Sequence, residues 1–151
     1  IAGDQTIFDL SMDDFKKALD LNPQDGEIYV YLANAKGVLK DHIGAIYYLE
    51  KAFELKEPDF KMYLRLGQSK IKIGDYKGAI SALSEGLLLK SENNAKFLLY
   101  WLRGDAFSNI GNEVASCSDY KAAYNYATTK EEKNLAYRAS TRLNSLSYCI
   151  Y

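Results

Sequence analysis

Cysteine, proline, histidine and tryptophan are all scarce in this sequence. Its 151 residues hold two cysteines, two prolines, one histidine and one tryptophan. Two cysteines are too few for the disulfide framework of a small secreted scaffold. Cys117 and Cys149 are therefore expected to be independent thiols, one or both buried as small apolar groups. The single histidine, His42, leaves no histidine cluster for a metal, and any Ser-His-Asp arrangement would rest on it alone. It stands in a turn between helices, where a solvated histidine is expected. Neither charge sign is in excess. Nineteen Lys and Arg against twenty Asp and Glu leave a net charge of −1, without the basic footprint of a nucleic-acid surface. No apolar run approaches the ~18 residues that a membrane-spanning helix needs. Strand signals are poor as well, with little period-two alternation and no Asn-Gly or Asp-Gly turn between apolar runs. The chain opens at Ile1 without a Met or a signal-peptide pattern, as a fragment or a processed form would, and no compartment is legible. What is left is an all-α chain of single-domain length, 1–151.

What is present is a period. Tyr29 and Tyr63, Leu32 and Leu66, Ala33 and Gly67, Ala45 and Ala79, and Leu49 and Leu83 are each separated by 34 residues. The same offset takes Phe15 to Leu49 and Ala18 to Ala52, so an earlier half-unit precedes. Beyond it, Tyr63, Gly67, Ala79 and Leu83 map to Tyr100, Gly104, Ser116 and Tyr120 at an offset of 37. The three extra residues fall in SENNAK, a polar stretch read as a connection between helices, where insertions cost little. Within each unit the opening aromatic and the small residue of the second half lie 16 apart, as in Tyr63 and Ala79. That spacing describes two helices joined by a tight turn. Small residues let the backbones approach, and Leu49, Leu83 and Tyr120 fill the space between them.

This pattern resembles the tetratricopeptide repeat, whose signature is Trp-x2-Leu-Gly-x2-Tyr, then Ala-x3-Phe, then Pro. The best unit reads Tyr63-x2-Leu66-Gly67, then Ala79-x3-Leu83 and Gly86. The third reads Tyr100-x2-Arg103-Gly104-x2-Phe107, then Ser116-x3-Tyr120 and Ala123. Among the departures, Lys36 and Lys70 stand where the signature has tyrosine, and Arg103 replaces its leucine. The resemblance implies an all-α, right-handed superhelix of antiparallel helix pairs. Its parts are a half repeat at 7–24, repeats at 26–59, 60–93 and 97–128, and a C-terminal capping helix at 130–150. Thr129 and Glu132 form a capping box at the start of that last helix. Leu135, Ala139, Leu143, Leu146 and Ile150 then share a face by their spacing.

GDYKGA, with its two glycines, could be taken for a phosphate loop, but it lacks the Gly-x4-Gly-Lys-Ser/Thr order and follows no strand. Asp41, Asp75 and Asn112 recur at this point in the three units, as helix N-caps do. Gly74 and Gly111 precede them where a helix must stop. Asp13-Asp14 and Glu131-Glu132 read as charges on helix starts rather than a catalytic carboxylate pair. Most of the thirteen tyrosines, Tyr47, Tyr48, Tyr124 and Tyr126 among them, read as packing between helices. No enzyme chemistry and no cofactor is expected.

The resemblance also implies a concave groove, lined by the first helices, that binds protein segments. Its positions here are Val30, Asn34 and Val38, then Lys61, Leu64, Arg65, Gln68 and Lys72, then Leu98, Trp101, Asp105 and Asn109. The family's two-carboxylate clamp for chaperone tails uses Lys, Asn, Asn, Lys and Arg. The corresponding slots hold Val30, Asn34, Arg65, Leu98 and Leu102, of which only Asn34 fits. The expected function is a non-catalytic interaction scaffold holding a peptide or protein segment. Trp101 is its apolar anchor, Asn34 and Gln68 meet peptide amides, Arg65 and Lys72 meet acidic groups, and Asp105 completes the groove. The alternative is a structural segment of a longer repeat protein, stacking on more repeats or on another copy through its open N-terminal end.

Overall fold

A computed structural model describes residues 2–142, with side chains from Met12 to Thr141. Among these residues the chain is helical throughout, without a strand. The elements are α1 (Ala2–Leu21), α2 (Gly26–Val38), α3 (His42–Leu55), α4 (Phe60–Lys72), α5 (Tyr76–Leu88), α6 (Asn93–Asn109), α7 (Glu113–Tyr126) and α8 (Lys130–Arg142). They fall into two compact units, Ile1–Pro58 and Asp59–Tyr151.

In the first unit α2 and α3 form a hairpin and α1 packs on α2. Met12 meets Leu32 and Ala35, flanked by Phe15, Leu19, Ile28 and Tyr48. The opening helix is longer at its start than the half repeat implied. Asp13 and Asp14 therefore lie within it, not at its beginning, and each is 3.6 to 3.7 Å from a lysine three residues on.

In the second unit α4 packs on α5, α5 on α6, α6 on α7 and α7 on α8, and α4 also meets α6 directly. The periodic small residues sit where these helices close. A Cβ on Gly67 would come within 2.5 Å of Leu83, and one on Gly86 within 3.0 Å of Leu99 and Tyr63. The aligned large residues Leu32, Leu49 and Leu83 have no exposed surface.

The turns follow the sequence pattern. Asp41, Asp75 and Asn112 each accept a backbone N–H three residues on, at 2.9, 2.9 and 3.1 Å. Just before them Gly74 and Gly111 take φ of +83° and +76°, and Lys40 takes +60°. The two lysines that depart from the signature are bound to these caps. Lys36 reaches Asp41 at 2.7 Å and Lys70 reaches Asp75 at 3.0 Å. In the third unit both partners change together, to Phe107 and Asn112. These ion pairs, followed by the cap bonds to Gly44 and Gly78, hold the Asp41 and Asp75 carboxyls below their ordinary value.

Four expectations need correction. SENNAK is not all connection: Asn93 to Lys96 form the first turn of α6. Cys117 is disulfide-bonded rather than a free thiol, and Cys149, the chain's other cysteine, lies outside the described residues. His42 opens α3 half-buried, and its Nδ1 is enclosed with no hydrogen-bond partner among the described residues. In α8 the capping box forms, with Glu132 N–H donating to Thr129 Oγ1 at 3.1 Å and Thr129 N–H to Glu132 Oε2 at 3.1 Å. The inward face, however, is Ala136 and Ser140, while Leu135 is exposed. Leu143, Leu146 and Ile150 lie outside the described residues.

Candidate functional site

Where α4 meets α6, the short residues of α6's first turn cannot fill the space between the two N-terminal ends. The result is an open pocket of about 440 Å³. Phe60, Lys61 and Leu64 of α4 form one wall, and Asn94, Ala95 and Leu98 of α6 the other, with Glu92 at the edge. Its walls are mainly apolar and its rim is polar, which suits one large side chain entering from an extended segment. Ala95 is buried and Leu98 is 39% exposed. The Asn94 carbonyl is occupied by the Ala95 N–H at 2.7 Å, which leaves the amide's NH2 as the donor at the rim.

The groove positions Lys61, Leu64 and Leu98 thus come together in the pocket. Arg65, Gln68 and Lys72 continue along α4, with Gln68 and Lys72 exposed and Arg65 half-buried. The Arg65 Nε is enclosed with no hydrogen-bond partner among the described residues. Asn34 stands on α2 of the first unit, half-buried, with its Oδ1 enclosed and unpartnered among the described residues.

Trp101 and Asp105 of α6 are tied into packing more than the spacing suggested. The indole lies 6.2 Å from the Phe97 ring and 5.2 Å from the Tyr120 ring. The Tyr120 hydroxyl donates to Asp105 Oδ1 at 2.6 Å. Burial holds the Asp105 carboxyl above its ordinary value, and the Tyr120 bond partly opposes that rise. Tyr120 is itself seated against Gly104, where a Cβ would come within 2.9 Å of its ring.

Arg103, another of the departures, is absorbed into the interior. Its Nε and Nη2 donate to Asp119 at 2.7 and 2.8 Å, and its Nη1 donates to Ser84 at 2.9 Å. The guanidinium also stands over the rings of Tyr100 and Phe107, 5.5 and 5.9 Å from their centres. Asp119 is only 4% exposed, and its bonds to the guanidinium raise the pKa of Arg103 further. A two-pronged pair of this kind is directional and, once buried, needs both members. It joins α5, α6 and α7, away from the α4–α6 pocket.

The pocket walls Phe60, Glu92, Asn94 and Ala95 were not among the positions expected from the repeat. Phe60 opens α4, and the other three enter through the inserted residues. The only signal in the sequence was the offset changing from 34 to 37, which marks an insertion without saying whether it is helix or loop. Among the described residues no helix is long and apolar enough to cross a membrane. Nor is any group of three or more His, Cys, Asp and Glu side chains there placed to hold a metal.

Comparison with known proteins adds one matched repeat and a fold. The tetratricopeptide-repeat family model matches residues 60–93. No curated protein sequence matches the chain. Among solved structures it resembles the crystal structure of MamA, with a TM-score of 0.83 and 21% identity over 93% of this chain and 79% of that one. The tetratricopeptide domain of Arabidopsis OM64 superposes with a TM-score of 0.70 and 18% identity, over 80% of this chain and 94% of that one. PcrH, solved in complex with the chaperone binding region of PopD, gives 0.65 and 20%, over 79% and 88%. The chain thus carries a matched tetratricopeptide repeat at 60–93 and shares the fold of tetratricopeptide-repeat structures along most of its length.

Proposed function

We propose that this chain is a non-catalytic interaction module that holds an extended protein segment on the first helices of its repeats. The observation that carries the reading is the unfilled, mainly apolar pocket between α4 and α6. A concave, mainly apolar site with a few polar groups at its rim is the usual form of a site that takes a partner's side chain. PcrH, of the same fold, was solved with a protein segment bound, which supports the class of partner. Asn34, Arg65, Gln68, Lys72, Trp101 and Asp105 are the groove residues in this reading. Arg65, Gln68 and Lys72 contact the segment, while Trp101 and Asp105 hold the wall in shape. Asn34 serves the first unit.

The test is a selection from a displayed library of random twelve-residue peptides on the immobilised chain, beside sedimentation equilibrium of the free chain. An interaction module enriches peptides that bind one to one and lose affinity when Gln68 and Arg65 are changed together to alanine. A chain that enriches nothing and sediments as a stable dimer contradicts the reading and favours repeat stacking instead.

A further inference from the structure

The exposed surface of α4 carries charge of one sign. The helix, FKMYLRLGQSKIK, contains four basic residues and no acidic one. Lys70 is committed to Asp75. Lys61, Arg65 and Lys72 have no acidic partner among the described residues, and the enclosed Arg65 Nε has no hydrogen-bond partner there either. Three cations elsewhere are paired between segments: Lys36 with Asp41, Lys56 with Glu27 and Arg103 with Asp119. Lys61, Arg65 and Lys72 fall on one face of α4 by their spacing and stand beside the open pocket, on a helix without an acidic residue, in a chain of net charge −1.

The opposing charges nearby are few and placed unevenly. Glu92 stands at the pocket edge. Asp105 is partly buried and bonded to the Tyr120 hydroxyl. An incoming carboxylate is therefore disfavoured at the Glu92 end and favoured further along α4. We propose that the α4–α6 pocket takes one large apolar side chain of an acidic partner segment, with a carboxylate of that segment following it along α4 to meet Arg65 and Lys72.

Helix geometry sets the spacing. Lys72 lies eight residues beyond Leu64, which is about 12 Å along the axis. An extended segment covers that distance in three to four residues at ~3.3 Å each. The recognised element is then an apolar residue followed, within about four positions, by Asp or Glu. Between them the exposed Gln68 amide faces the segment's backbone, as a bidentate donor and acceptor.

This inference rests on the interaction-module reading, and the experiment separates the two. The twelve-residue library is selected on the wild-type chain, on Leu98→Glu, and on the surface double variant Lys61→Glu, Lys72→Glu. Helix content of each variant is followed by circular dichroism. The double variant changes only exposed positions and so keeps the test valid if Leu98→Glu fails to fold. Wild type is expected to enrich apolar residues with Asp or Glu two to four positions away. Leu98→Glu is expected to weaken those peptides at least tenfold, and the double variant to shift the preference from acidic to basic residues. Enriched peptides without the acidic preference, or with affinity unchanged on both variants, overturn this inference and leave the interaction module standing. No enrichment on wild type overturns both.

Discussion

Lys40 holds a left-handed backbone, φ +60°, at the position where the next two units have Gly74 and Gly111. A side chain in that conformation costs roughly 1–2 kcal/mol, which glycine avoids at the price of a freer unfolded chain. Nothing lies within 4 Å of a Cβ added at Gly74, so only this conformational term acts. Gly74→Ala is expected to lower stability by about 1 kcal/mol, while Lys40→Gly raises it by about 0.5 kcal/mol in denaturant unfolding. Equal and opposite signs to these would mean that the turn is not held left-handed in solution.

Asp105 offers a second test at the same scale. Its carboxyl is lifted above the ordinary 3.8 by burial. A carboxyl with a higher pKa folded than unfolded favours folding while protonated, and that contribution is lost as pH rises through the folded value. Asp105→Asn keeps an acceptor for the Tyr120 hydroxyl and removes the buried charge. Its Tm is expected to exceed that of wild type at pH 7 and to match it near pH 3, where both states of wild type are protonated at this position. A lower Tm at pH 7 would show that the ionised carboxylate is a net stabilising group.

At the scale of elements, the Arg103–Asp119 pair joins three helices through groups that the repeat elsewhere makes apolar. The previous unit has Leu66 and Ala82 at these two positions, both buried. Arg103→Leu alone strands a buried carboxylate and is expected to cost about 3–5 kcal/mol. Arg103→Leu with Asp119→Ala copies the previous unit and should recover most of that loss in chemical denaturation. If the double variant is no more stable than the single one, the pair is not the reason Arg103 is accommodated.

The elements also mark how far the sequence could be read. Leu49, Leu83 and Tyr120, the caps Asp41, Asp75 and Asn112, and the glycines before them were legible, because each answers a local demand repeated at a fixed offset. Their burial and bonds agree with that reading. Arg103 and the lysines Lys36 and Lys70 read only as departures. Their partners are five or sixteen residues away, and no repeated position announces such a pairing. Leu135 was assigned to the buried face from its spacing, yet Ala136 and Ser140 hold it, a rotation of one residue that apolar periodicity in a short, polar helix resolves poorly. The pocket was hidden for a similar reason: polar SENNAK residues suit a loop and a helix start equally well.

For the whole molecule, the scarcity of cysteine concealed a covalent bond. Cys117 is buried in α7 and disulfide-bonded. Composition alone does not tell whether a cysteine is bonded, since that depends on tertiary placement. Cys117→Ser is expected to lower stability by about 2–4 kcal/mol under oxidising conditions, and dithiothreitol should reduce wild type to a similar level. Wild type unaffected by reductant would contradict a stabilising role for the bond.

For the whole molecule, partner binding is proposed on the first helices of the second unit. The most direct test is amide chemical-shift mapping of the ¹⁵N-labelled chain, titrated with a peptide enriched by the library selection. The largest shifts are expected within residues 60–72 and 92–101, with little change at the exposed α5 and α7 positions Lys77, Ser81, Glu85 and Ser118. Shifts concentrated on α5 and α7, with the pocket residues unmoved at saturation, would contradict it.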